Sequence, residues 1–154
     1  MKIVIIYSSR HQGNTEKIAR TLATILNAPL VKVDEVDMQN IQSILAYDLI
    51  GFGSGIYWGK HDKALLDLVG TLPLVNNKKA FIFSTSGIRE GRFINNFNRQ
   101  LKRRLLAKGF TISGVFSCRG FDTVGPLKLI IELSYGLPNA QDLEAAANFA
   151  KELG

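Results

Sequence analysis

The run KIVIIY at residues 2–7 is apolar at nearly every position and gives way at once to SSRHQGNT and then to an amphipathic segment. A strand with one wet face alternates apolar and polar residues. An unbroken apolar run is buried on both faces, the condition of a central strand in a parallel sheet covered by helices. The same switch from apolar run to helical period recurs along the chain. Residues 15–26 place Ile18, Leu22, Ile25 and Leu26 on one face, and LVKVDE (30–35) reads as a half-polar strand near an edge. A short helix over 40–45, a strand over 47–55 and a helix over 61–72, stopped by Pro73, follow. Next come a strand over 79–87, a helix over 92–108 and a strand over 110–118. A closing helix over 139–153 buries Leu143, Ala146, Ala147, Ala150 and Leu153. Strands alternating with helices predict an α/β class chain, doubly wound around an open parallel sheet.

With 154 residues and no repeat, low-complexity run or linker, the expectation is one domain over 1–154. No apolar run reaches the roughly 20 residues of a membrane span. The N-terminus opens on a strand pattern instead of a signal peptide, and a lone cysteine, Cys118, leaves no intramolecular disulfide. These features predict a soluble cytoplasmic protein, monomer or homodimer, with no metal ligands. The net charge of +6 is uneven: residues 60–128 hold thirteen Lys or Arg against four acids, a net +9. RQLKRRLLAK in that segment has the charge of a nucleic-acid patch. Leu101 and Leu105, at core spacing between the charges, favour a solvated helix face, so nucleic acid is not the expected partner.

In an open parallel sheet, ligands sit beyond the C-terminal strand ends, at the point where strand order reverses. After the first strand, Ser8, Ser9, Asn14 and Thr15 offer hydrogen bonds and Gly13 permits close backbone approach, just where a helix N-terminus attracts a phosphate. Neither a Walker G-K-[ST] nor G-x-G-x-x-G is present, so the phosphate would be held and not transferred. A helix cap supplied by Asn14 or Thr15 would account for only one of these residues. Cys118 beside Arg119 invites a nucleophile reading, but a phosphatase loop needs Cys-x₅-Arg and position 124 is valine.

Y-x-S followed by G-N-T and an amphipathic helix resembles the phosphate loop of the flavodoxin family. The resemblance implies a three-layer sandwich with a five-stranded parallel sheet of order 2-1-3-4-5, and FMN as cofactor. The loop is one residue longer than the familiar one and contains Arg10 and His11. Arg10 either adds a charge-assisted bond to the phosphate or points into solvent. By the same resemblance, the loop after the third strand, with Ser54, Gly55, Ile56, Tyr57, Trp58 and Gly59, would supply a flat apolar surface for the flavin ring. The Gly59 peptide would turn to bond flavin N5 on reduction, a turn that glycine makes at low cost. Ser84, Thr85, Ser86 and Gly87 would read the ring edge through their backbone, although that loop lacks the tyrosine often found there. The stretch 119–138 would be a lid or a dimer contact.

The resemblance implies a one-electron carrier between redox partners, the redox chemistry being the cofactor's own. Family carriers are acidic, whereas this chain has a pI near 9.6, and Lys60 stands where an acid is common. Its partners would therefore present acidic docking faces. The alternative is an FMN-dependent NAD(P)H:quinone-type oxidoreductase of the same fold, served by the open ring face and the long last loop. A receiver-like signalling domain would want paired acids where Ser8 and Ser9 stand, and ranks last.

Overall fold

The computed structural model describes residues 1–10, 13–86, 97–119 and 140–154. Along the chain these form β1 (Ile3–Ser8), α1 (Asn14–Leu26), β2 (Leu30–Lys32), a 3₁₀ turn (Val33–Glu35), α2 (Ile41–Leu45) and β3 (Leu49–Tyr57). There follow β4 (Lys60–His61), α3 (Lys63–Thr71), β5 (Lys78–Ser86), α4 (Arg99–Ala107), β6 (Phe110–Arg119) and α5 (Ala140–Leu153). The sheet order is β2-β1-β3-β5-β6, all pairs parallel, with β4 folded antiparallel on the end of β3. Counting the parallel strands alone, this is the 2-1-3-4-5 order expected from the sequence.

Strand alternation divides the core in two. Val4, Ile6, Ile50, Phe52 and Ile82 face α2, α3 and α4, meeting Ile44, Leu65, Val69, Leu101 and Leu105. Ile3, Ile5, Tyr7, Phe81 and Phe83 face α1 and α5, meeting Ile18, Leu22, Ala146 and Ala150. Two glycines make the second layer possible. Gly51 pairs with Phe81 and Gly53 with Phe83, and a Cβ on either would stand 2.3 or 2.2 Å from the neighbouring ring. The rings lie across β3 only because nothing projects from it there.

Three expected boundaries move, each for a local reason. β2 ends at Lys32 and not at residue 35, because Glu35 Oε2 accepts from the Lys32 amide (3.1 Å) and Asn40 Nδ2 donates to the Glu35 carbonyl (2.8 Å). Such side-chain bonds draw an edge segment into a turn. β3 runs two residues past its expected end, since Ile56 pairs with His61 and Tyr57 with Lys60. α3 starts at Lys63, after a strand residue at His61, because Asp62 is its N-cap and accepts from the Ala64 amide at 3.2 Å. The helix expected over 92–108 appears as Arg99–Ala107, with 92–96 outside the described residues. The long segment 120–139 also lies outside them. Among the described residues no helix is long and apolar enough to cross a membrane.

Candidate functional site

α1 begins at Asn14, so Asn14 and Thr15 lie inside the helix and cannot be its cap. The N-cap is Gly13, in the left-handed region at φ 69°, a residue that has no side chain to cap the helix. The first-turn amides and the positive end of the helix dipole lie at the end of the loop that leaves β1. Beside them Ser9 Oγ is buried with no hydrogen-bond partner among the described residues. A buried hydroxyl left unbonded costs about 1–3 kcal/mol and asks for an explanation. An anion bonded by that hydroxyl and the helix amides is one.

Ser8, Arg10 and Thr15 are already engaged. Ser8 Oγ donates to Asp62 Oδ2 (2.6 Å), and the Thr15 and Thr85 hydroxyls are 2.7 Å apart, a buried bond tying α1 to β5. Arg10 Nε and Nη2 form parallel bonds to Asp62, and the guanidinium lies 5.3 Å from the centre of the Tyr57 ring. A cavity of about 300 Å³ adjoins the loop on the β2 side. Its cations Arg10 and Lys32 are matched by Glu16, Asp34 and Asp62, so the cavity walls present no net positive charge to an anion. His11 lies outside the described residues.

Register places four serines in one row across the strand ends: Ser8 beside Ser54, Ser54 beside Ser84, Ser84 beside Ser117. Apolar residues give way to hydroxyls there, and the row supports a polar layer. Ser54 Oγ accepts from the Asp62 amide (2.9 Å) and meets His61 Nδ1 at 2.8 Å. His61 Nε2 meets Asn98 Oδ1 at 2.7 Å, Asn98 Nδ2 donates to Ser117 Oγ at 2.9 Å, and Ser117 bonds Ser84 at 2.8 Å. Ser54 and Ser84, expected to touch a cofactor, are buried beneath the strand-end surface in this row. Burial pushes the His61 imidazole down to about 4, against the opposing influence of Asn98 and Asp62, so it is neutral near pH 7.

The β3–β4 hairpin forms the wall above this layer. Its two central residues, Trp58 and Gly59, have φ 54° and 76°, the pattern of a type I′ turn. Gly59 suits that turn. Tryptophan does not, at about 1 kcal/mol or more, and Trp58 gains no packing in return, being 95% exposed. Tyr57 folds back over Gly55, where a Cβ would stand 2.7 Å from its hydroxyl. Desolvation, then the nearby Asp62 charge, raises the Tyr57 phenol above its ordinary value. Ile56 and Tyr57 thus belong to strand and Trp58 and Gly59 to the turn. Thr85 and Ser86 end β5 next to it, and Gly87 is outside the described residues.

Asp62, His61, Asn98 and Ser117 were not candidates from sequence. Asp62 carried a readable sign, an acid just ahead of the apolar period of α3; the others depend on contacts between distant segments. Cys118 is held as a thiol. Burial, and then Asp142, push its thiol up to about 12, so it carries no thiolate near pH 7. On α4, Leu101 and Leu105 are fully buried and Arg104 donates to the Leu66 carbonyl (2.9 Å), so the charge run is the outer face of a packed helix.

The family described as flavodoxin domain matches residues 4–116. An uncharacterized protein of Methanocaldococcus jannaschii is 45% identical over 154 residues, 99% of this chain and 98% of that protein. The chain also superposes on oxidised flavodoxin 2 of Bacillus cereus with a TM-score of 0.70 at 21% identity, over 99% and 97% of the two chains. The two-electron reduced flavodoxin of Megasphaera elsdenii gives 0.61 at 19% identity, over 97% and 98%. The structural likenesses, at these identities, speak for the fold alone.

Proposed function

The chain belongs to the flavodoxin family, and we propose that it binds FMN and carries electrons one at a time between redox partners. The observation that supports the reading is the loop from β1 to α1, in which a helix begins at a left-handed Gly13 and the Ser9 hydroxyl is buried with no hydrogen-bond partner among the described residues. A phosphate monoester accepts several hydrogen bonds and satisfies both at once. Ser9 and the backbone of Gly13, Asn14 and Thr15 would hold it. Tyr57, Trp58 and Gly59, with the backbone of Thr85 and Ser86, would line the ring, and exposed Trp58 on its costly turn would gain a partner there. FMN supplies one-electron redox chemistry; the chain orients it and keeps water from one side of it.

The charge distribution supports a partner with an acidic docking face. Lys60, Arg99, Lys102 and Arg103 are exposed on the side of the molecule that carries β4 and α4. An acidic docking face on the electron donor or acceptor complements them, and salt would then slow transfer. Redox titration of FMN-loaded protein tests the carrier reading, which predicts two resolved one-electron steps and no reaction with NADPH unless a reductase is added. Turnover of NADPH with a quinone by the loaded protein alone would assign it instead to the oxidoreductases of this fold.

A further inference from the structure

β4 is two residues long and pairs with β3 at only two positions, too little ladder to fix a hairpin in water. Yet His61, the second of those residues, is 3% exposed and bonded at both ring nitrogens. Asn98 donates through Nδ2 to Ser117, which leaves its Oδ1 to accept, so the His61 proton is on Nε2. Nδ1 is then the acceptor that faces the Ser54 hydroxyl, whose hydrogen it shares with the Gly55 carbonyl. The line continues through Ser117 to Ser84 and so joins β3, β4, β5, β6 and the residue before α4.

We propose that His61 is a positioning residue: it locks the Trp58–Gly59 turn to the ends of β5 and β6, so that the turn meets the flavin ring as a preformed surface. The second half rests on the FMN reading; the lock itself does not. In this tautomer Nε2 donates and Nδ1 accepts, so both ring nitrogens hold the hairpin to its neighbours.

Two variants break the line from different sides, His61→Phe within the hairpin and Asn98→Ala outside it. In flavin-free protein, both should speed amide exchange at residues 56–61 by about tenfold while the amides of β1 and β5 keep their protection. In flavin titrations, both should raise the dissociation constants of FMN and riboflavin by the same factor, because the turn touches only the ring. His61→Gln, which can restore one bond, should recover part of each effect. Unchanged exchange at residues 56–61 overturns the lock. A larger loss for FMN than for riboflavin overturns the ring-positioning role, since it would mean that the phosphate end had been disturbed. If the unsubstituted protein binds neither flavin, the ring-positioning role falls with the FMN reading, and the exchange data still decide the lock.

Discussion

Arg10 and Asp62, 52 residues apart in sequence, are joined by two parallel hydrogen bonds of 2.9 and 2.7 Å. The pair clasps the loop after β1 to the start of α3. Its two members are unequal, since the Arg10 side chain is 55% exposed and that of Asp62 only 1%. Removing Arg10 leaves Asp62 with the Ser8 hydroxyl and the Ala64 amide, and the arginine returns to water. Arg10→Ala should therefore cost only about 1 kcal/mol. Asp62→Ala removes a helix cap, a buried acceptor and the partner of Ser8 together, and should cost about 2–4 kcal/mol. Urea unfolding of both variants measures the difference, and equal costs would contradict the clasp.

Gly51 and Gly53 should be intolerant of alanine. A methyl at either would stand 2.3 or 2.2 Å from the ring of Phe81 or Phe83, both fully buried beside α1 and α5. Each substitution should cost about 1–3 kcal/mol as rings are driven off their rotamers. Pairing Gly53→Ala with Phe83→Leu should recover part of the loss. If Gly53→Ala is neutral in thermal unfolding, the account of that layer is wrong.

His61 gives stability a pH dependence whose sign is fixed. Its pKa falls from an ordinary 6.5 to about 4 on folding, with burial the main cause. Between those values the unfolded chain binds a proton that the folded one refuses. Stability therefore declines as pH falls from 6.5, by about 3 kcal/mol at pH 4. Above 6.5 this contribution is fully present. Urea unfolding at pH 7 and pH 4.5 should show the decline in the natural chain and a shallower one in His61→Phe.

Trp58 sets stability against binding. Asparagine tolerates the left-handed region better than tryptophan, so Trp58→Asn should leave the protein as stable or up to about 1 kcal/mol more so. It should at the same time weaken flavin binding, since it removes an aromatic face. Among the described residues Gly59→Ala meets only the Phe97 ring, at 3.9 Å, so its cost should be mainly backbone strain, about 1 kcal/mol. Isothermal titration and thermal unfolding on the same samples separate the two effects, and a Trp58→Asn protein that loses stability would contradict the assignment.

The layers of the fold are legible in the sequence because they follow from hydrophobicity alone. IVII (3–6) has no polar position and reads as a buried central strand, and the apolar spacing of α1 and α4 finds their inner faces directly. The hairpin is less legible. With a two-residue β4, Trp58-Gly59 reads as loop and His61 as the start of a helix, although the glycine after the tryptophan marks a turn. The serine row is not legible at all. Ser8, Ser54, Ser84 and Ser117 become neighbours only through strand register, and serine near a strand end reads equally as ligand contact or loop. The Ser54 and Ser84 side chains, read as part of the cofactor loops, lie buried in the supporting layer.

The central claim is that the β1–α1 junction holds the phosphate of FMN, and comparing FMN with riboflavin tests it most directly. The two share ring and ribityl chain and differ by the phosphate alone. Quenching of flavin fluorescence by flavin-free protein should show FMN binding at least about tenfold more tightly than riboflavin, the preference narrowing in Ser9→Ala, which removes one charge-assisted bond. Equal affinity for the two flavins, or no quenching by either, would contradict it.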